Sequence, residues 1–134
     1  MFFKDKRKEM AAKIQEQLQK EIDAFQKIQK DLQKLVTGRQ QLDVQYNENK
    51  VVKDELDLVE PDSNVYKLTG PILVKQDLSE ARLNVGKRLD YIQSELKRHE
   101  KSITDLQSKQ EKKKESLTKL QQQYQQLLQK QAAK

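Results

Sequence analysis

Apolar residues recur along this chain in steps of three and four, in two long runs separated by a short block of different character. The first run places them at Ile14, Leu18, Phe25, Ile28, Leu32, Leu35, Leu42, Tyr46 and Leu56. The second places them at Leu78, Val85, Leu89, Ile92, Leu96, Ile103, Leu106, Leu117, Leu120, Tyr124 and Leu127. A stripe with an average repeat of ~3.5 residues stays out of water only against a partner helix lying nearly parallel or antiparallel to it. The two runs are of similar length, so each is the other's natural partner. The pattern predicts helix 1 over about residues 5–58 and helix 2 over about residues 77–130. At ~1.5 Å per residue each is roughly 80 Å long, and a fold back at the middle aligns them almost end to end.

Boundary signals agree with that division. Pro61 disfavours helix in the residue before it, and Asp62, Ser63 and Asn64 favour a turn. Asp77 with Glu80 three residues later reads as an aspartate version of a capping box, opening helix 2. Pairing Leu56 with Leu78 brings Tyr46 near Leu89, Leu42 near Ile92, Leu32 near Ile103, Leu18 near Leu117 and Ile14 near Leu120. Apolar then meets apolar along most of the seam. Arg39, Asn49, Lys53, Arg82, His99 and Gln110 interrupt it, as polar residues do in long coiled coils, fixing register at some cost in stability. Gly38 costs about 1 kcal/mol relative to Ala inside a helix and marks a soft point.

Between the arms, Val65-Tyr66-Lys67-Leu68 and Ile72-Leu73-Val74-Lys75 flank Thr69-Gly70-Pro71. Two runs rich in β-branched and bulky residues around such a turn predict a β-hairpin over residues 65–75, with Gly70 free to take positive φ and Pro71 confined to the turn or a strand start. A lone two-stranded hairpin is marginal in water, and both its edges are open. A narrow helical pair shields at most one of its faces, so the economical solution adds strands from other chains. Closing a sheet or barrel in this way makes oligomerisation an expectation from the residues. A plain linker bend would also join the arms, although Thr-Gly-Pro between two apolar runs is more than a linker requires.

Composition suits narrow seams better than a wide core: 36% of residues are charged, 34% hydrophobic, with no Trp, 3 Gly and 2 Pro. The polar surplus is mostly Lys, Glu and Gln, good helix formers for solvated faces. Disorder competes as a reading of so polar a chain but does not produce sustained heptads. The absence of Cys excludes disulfides, thiol catalysis and thiolate metal sites. No signal peptide or membrane span of about 20 apolar residues stands out, so a soluble, intracellular protein is expected.

No catalytic constellation is visible: there is no phosphate-cradling glycine loop, no paired metal-ligand motif, and a single histidine, His99, at a seam position. Enzymatic activity, a cofactor and a metal are therefore not expected. The net charge of +6 raises nucleic-acid binding, but basic residues are interleaved with acids, and Lys112-Lys113-Lys114 lies between Glu111 and Glu115. A solvated helical face is the better reading of that run, and neither nucleic acid nor membrane is an expected partner. The chain ends are more suggestive. Phe2, Phe3, Met10, Ala11 and Ala12 converge with Tyr124, Leu127, Leu128, Ala132 and Ala133 at the far tip of a folded-back chain. Exposed apolar groups among Lys and Gln there would hold a non-native polypeptide weakly; equally, they are the last seam turns and tails.

Arm, hairpin and equal returning arm together resemble prefoldin, and one hairpin rather than two resembles its β class. The likeness is most specific at Val65-Tyr66-Lys67-Leu68-Thr69-Gly70-Pro71-Ile72-Leu73-Val74-Lys75-Gln76. It continues at Ser79-Glu80-Ala81-Arg82 and Val85-Gly86-Lys87-Arg88-Leu89-Asp90-Tyr91-Ile92, and in the first arm at Gln29-Lys30-Asp31-Leu32 and Thr37-Gly38-Arg39-Gln40. What the resemblance implies is a single β-type domain over residues 1–134. It further implies a heterohexamer of two α-class and four β-class subunits, with hairpins joined in a β-barrel platform and coiled coils projecting from it. The family captures unfolded actin and tubulin in the cytoplasm and delivers them to the cytosolic chaperonin without ATP or a cofactor. On this sequence, Val65, Tyr66, Leu68, Ile72, Leu73 and Val74 become the assembly element. Phe2, Phe3, Met10, Tyr124, Leu127 and Leu128 become client contacts at the tips. A structural tether or scaffold is the alternative; it explains the arms and leaves the apolar hairpin unused.

Overall fold

The computed structural model describes residues 2–132, with side chains from Lys6 to Lys130. Four elements follow one another: α1 (Phe2–Leu58), β1 (Val65–Thr69), β2 (Ile72–Gln76) and α2 (Leu78–Ala132). The expected mainly helical chain with one β-hairpin between two long helices is what forms. Both helices run further toward the chain ends than the heptads indicate, because no Gly or Pro stands in either stretch to stop them.

The connections show why the elements stop where they do. At the end of α1 the Leu56 carbonyl accepts a bond from the Val59 N–H at 3.3 Å, and the Glu60 carbonyl then accepts from the Ser63 N–H at 2.9 Å. That second bond closes a turn with Pro61 just after its first residue, the place where a fixed φ is most useful. Asp77 precedes α2, and its carbonyl accepts the Ala81 N–H at 2.9 Å, so it holds the N-cap position. Helix 2 therefore opens at Leu78, one residue later than the heptads suggest, and β2 extends to Gln76.

The chain divides into two compact units. One is Val36–Lys101, holding the end of α1, the hairpin and the start of α2. Here α1 and α2 run antiparallel: the Tyr46 hydroxyl accepts from Gln93 Nε2 at 3.2 Å, and Arg39 pairs with Glu100 at 2.9 Å. Leu56, Ala81, Val85 and Leu89 form a buried cluster against which Tyr46, Val65 and Leu78 pack. Full burial of an aliphatic side chain contributes about 1.5–3 kcal/mol, so this small core under the hairpin is the firmest part of the unit. Tyr46, Leu56, Leu78 and Leu89 gather in one cluster, but Tyr46 meets Gln93 and the Leu56 carbonyl meets Arg82, so the register lies about one helical turn further along α2 than the pairing of Leu56 with Leu78 and Tyr46 with Leu89 expected. His99 lies against Gly38, whereas a pairing of Leu56 with Leu78 would set Leu35 opposite it. A Cβ on Gly38 would sit 3.2 Å from His99 Nε2, so the missing side chain is what admits the imidazole.

The other unit joins Met1–Leu35 with Ser102–Lys134. Its helices are also antiparallel, with Gln15 Nε2 donating to the Tyr124 hydroxyl at 2.8 Å and Lys113 Nζ 3.1 Å from Glu21 Oε1. Ile103 is its buried aliphatic residue, and Ile14, Leu18, Phe25, Leu117 and Leu120 are half-buried along the seam. Spin labels placed beside Leu18 and Leu117 are expected to report a short separation, set by an interaxial spacing of ~10 Å plus the label arms. Absence of any short distance in a pulsed dipolar measurement would contradict the antiparallel pairing.

Candidate assembly surface

The hairpin pairs Val65 with Gln76, Tyr66 with Lys75, Lys67 with Val74, Leu68 with Leu73 and Thr69 with Ile72. This leaves Gly70 and Pro71 as a two-residue loop, with Gly70 at φ 61°. A positive φ at the first loop position and a proline ring at the second fit a type II′ turn, whose twist matches that of the strands. Alternation along the strands then sorts the side chains. Tyr66, Leu68, Leu73 and Lys75 share one face, while Val65, Lys67, Thr69, Ile72, Val74 and Gln76 share the other.

Val65 reaches the buried cluster and is half-buried. The other five predicted assembly residues are not covered: Tyr66 is 54% exposed, Leu68 68%, Ile72 62%, Leu73 64% and Val74 49%. Both faces of the hairpin therefore present large apolar side chains to solvent, and the sheet has two strands and hence two unpaired edges. Open edges and contiguous exposed apolar side chains mark a surface built to be covered. Beneath it, a cleft of about 200 Å³ is lined by Val52, Leu56, Val65, Lys67, Val85 and Arg88 among others. The surface is thus apolar with a basic rim.

Arg82, which the heptads mark only as an interruption, holds this region in place. Its Nε and Nη2 donate to the Leu56 carbonyl at 3.2 and 2.9 Å, and Asp57 lies 3.9 Å away. A guanidinium on the last carbonyls of α1 satisfies acceptors that the helix leaves free and complements the negative end of its dipole. The first turn of α2 is fastened to the last turn of α1 directly below the hairpin. Arg82→Ala is expected to destabilise the chain by about 1 kcal/mol, the usual contribution of one such partly exposed bond pair. A lowered urea midpoint with unchanged slope would show it, and an unchanged midpoint would contradict it.

The remaining candidate residues fall as follows. His99 Nδ1 lies 2.9 Å from the Glu95 carbonyl oxygen and its ring rests on Gly38, so it is occupied in the seam. Lys113, the middle of the lysine run, is half-buried beside Glu21, which breaks up any continuous basic surface there. Glu21 Oε2 is buried with no hydrogen-bond partner. Among the described residues no group of three His, Cys, Asp or Glu side chains is placed to hold a metal ion, and no helix is long and apolar enough to cross a membrane. Of the predicted tip residues, Met10 and Leu128 are exposed, whereas Tyr124 and Leu127 are half-buried toward the seam. Phe2 and Phe3 lie outside the described side chains.

Two long helices joined by one exposed apolar hairpin define the class, and comparison with known proteins gives the family. Residues 19–131 match the family described as "Prefoldin subunit", and the chain belongs to that family. It is a subunit of the prefoldin chaperone. Prefoldin subunit 6 of Homo sapiens is 50% identical over 116 residues, covering 87% of this chain and 90% of that protein. Prefoldin subunit 6 of Arabidopsis thaliana is 51% identical over 82 residues, covering 61% and 64%. Among solved structures, the prefoldin beta subunit from Thermococcus strain KS-1 superposes with a TM-score of 0.71 at 22% identity, over 77% of this chain and 90% of that one. That likeness is one of fold.

Proposed function

We propose that this chain is a β-class subunit of a hexameric, ATP-independent holding chaperone. It assembles through its β-hairpin with α- and β-class prefoldin subunits, binds non-native polypeptides such as actin and tubulin at its tips, and passes them to the cytosolic chaperonin. Residues 1–134 act as one functional domain in the cytoplasm. The observation that carries this reading is the uncovered hairpin: five large apolar side chains on two faces of a sheet with two open edges. A tether between distant partners has no use for such a surface. A platform of several hairpins does, because each added strand pairs an edge and each neighbouring face removes apolar area from water.

Native mass spectrometry of the purified chain mixed with the other prefoldin subunits tests the assembly half of this reading. The expected species contains six subunits, this chain among them. A chain that stays outside every complex would contradict it.

A further inference from the structure

Helices α1 and α2 each carry a second regular pattern besides the seam. On α1, Val44, Glu48, Val51, Glu55 and Leu58 follow one another at steps of four, three, four and three, so they line one stripe. On α2, Leu83, Lys87 and Tyr91 line another at steps of four. Each of these residues stands two positions from a seam residue, as Leu58 does from Leu56 and Lys87 from Val85. Two residues at ~100° each turn a stripe about 200° from the seam, so the two stripes lie on opposite outer sides of the helix pair. Val44, Val51 and Leu58 are exposed, and so are Leu83 and Tyr91. Glu48, Glu55 and Lys87 are exposed as well, and none of the three has an ion-pair partner among the described residues. Apolar residues at helical spacing are the mark of a helix contact, and within Val36–Lys101 neither stripe is covered.

The two stripes complement each other. The α1 stripe alternates aliphatics with carboxylates, and the α2 stripe sets an ammonium between Leu83 and Tyr91. Laid antiparallel with Leu58 on Leu83, Glu55 falls on Lys87 and Val51 on Tyr91, while Glu48 comes opposite Ser94, about one turn from the exposed Arg98. Stripes that point away from each other in one molecule meet only between two copies. The pairs Arg39–Glu100, Tyr46–Gln93 and Leu56–Arg82 fix which residues of α1 and α2 lie level in one chain, and by them Leu58 is level with Glu80 to within about a residue. Setting Leu58 on the Leu83 of a second copy therefore shifts that copy by about three residues, roughly 5 Å, less than one turn. Both hairpins then stand at the same end, where the unpaired edges of each two-stranded sheet face a neighbour. The reverse arrangement, with Val44 on Leu83, also matches the pattern, but it sends the hairpins to opposite ends and leaves their edges open.

We propose that the Val44–Leu58 stripe of one copy of this chain docks on the Leu83–Tyr91 stripe of a second copy, with both hairpins at the same end. The contact is heterologous. Each pair leaves one stripe of each kind free, so copies add in a row instead of stopping at two. This is a self-association of the free chain that needs no other subunit, so it stands or falls separately from the mixed complex. Charge gives it direction: an acidic stripe admits the basic one and repels another of its own kind.

Sedimentation equilibrium of the purified full-length chain is the test. At low salt its average mass is expected to rise with concentration past that of a dimer, and to rise less at high salt. Glu55→Lys and Lys87→Glu are each expected to weaken the association about tenfold at low salt, since each turns an attraction into a repulsion. The two changes in one chain are expected to restore it, because the pair is then exchanged and not lost. Helicity is expected to be unchanged in all three, both positions being exposed. The chain contains no cysteine, so mixing Leu58→Cys and Leu83→Cys copies reports the orientation: under mild oxidation a disulfide between the two variants is expected in preference to one between identical copies. A chain that stays monomeric at every concentration overturns the proposal. So does association that ignores both single reversals and disappears with Ile72→Asp, which would assign it to the hairpin alone, or a double reversal that fails to restore it. A disulfide that forms between Val44→Cys and Leu83→Cys copies in place of the expected one overturns the shared orientation of the hairpins.

Discussion

Ile72→Asp is expected to remove this chain from the assembled complex while leaving its two helices formed. In the isolated chain Ile72 is 62% exposed, so the new carboxylate stays solvated and costs little. In a closed platform the same group is taken out of water with no cation to meet it. Burying an unpaired charge costs several kcal/mol, and each ~1.4 kcal/mol is tenfold in affinity, so a loss on the order of a thousandfold is expected. Position matters here. Val74 stands opposite Lys67, which would partly neutralise an Asp at 74, whereas Ile72 faces Thr69 and Leu73 faces Leu68. Ile72→Asp and Leu73→Asp therefore probe one hairpin face each with the least chance of rescue. Circular dichroism of the variants alone, followed by native mass spectrometry with the partner subunits, separates misfolding from failed assembly. Wild-type incorporation of both variants would mean that neither face is buried.

Removing residues 1–10 together with 124–134 is expected to cost most of this subunit's contribution to holding unfolded clients. On the proposed reading assembly covers the hairpin and the seams cover their own stripes, so Met10 and Leu128 at the tips are among the exposed apolar groups offered to a client. Each contact is weak. Several tips around one client act together through effective concentration, which permits capture without nucleotide and release to a competing chaperone. The deletion also strips the last seam turns, since the Tyr124 hydroxyl accepts from Gln15 and Leu127 is half-buried. A milder variant, Met10→Ser with Leu128→Ser, removes two exposed apolar side chains and spares that bond. Because the other subunits keep their tips, both changes are expected to give partial loss, the deletion more than the pair. Light scattering of denatured actin with mass-verified complexes is the measurement. Undiminished protection by the deletion variant across several clients would place client binding elsewhere.

The helices and the hairpin were readable in the sequence because each rests on local rules. Threes and fours define a seam, and Thr-Gly-Pro between β-branched runs leaves few choices but a tight turn with Gly70 at positive φ. Register was not readable to the same degree. A stripe of threes and fours still sets apolar against apolar when shifted by one turn, and the space that seats His99 comes from a glycine on the opposite helix. Arg82 was invisible as a cap for a similar reason, since its acceptor is a backbone carbonyl 26 residues earlier that only the folded chain brings near. At the site, the hairpin residues stood out as apolar and β-branched. Their exposure on both faces became apparent only once the helices were seen to cover Val65 and little else. The outer stripe of α1 was masked because its three aliphatics are separated by seven residues and alternate with glutamates, which alone reads as a solvated face.

On the proposed reading this chain completes a complex that holds unfolded protein without ATP. The most direct test is light scattering of denatured actin diluted into nucleotide-free buffer with the complete complex, with the same subunits lacking this chain, and with this chain alone. The expected result is suppression of aggregation at near-stoichiometric amounts of the complete complex, and weak protection by either incomplete sample. A complex of full mass containing this chain that leaves aggregation unchanged, or that protects only when ATP is supplied, would contradict it.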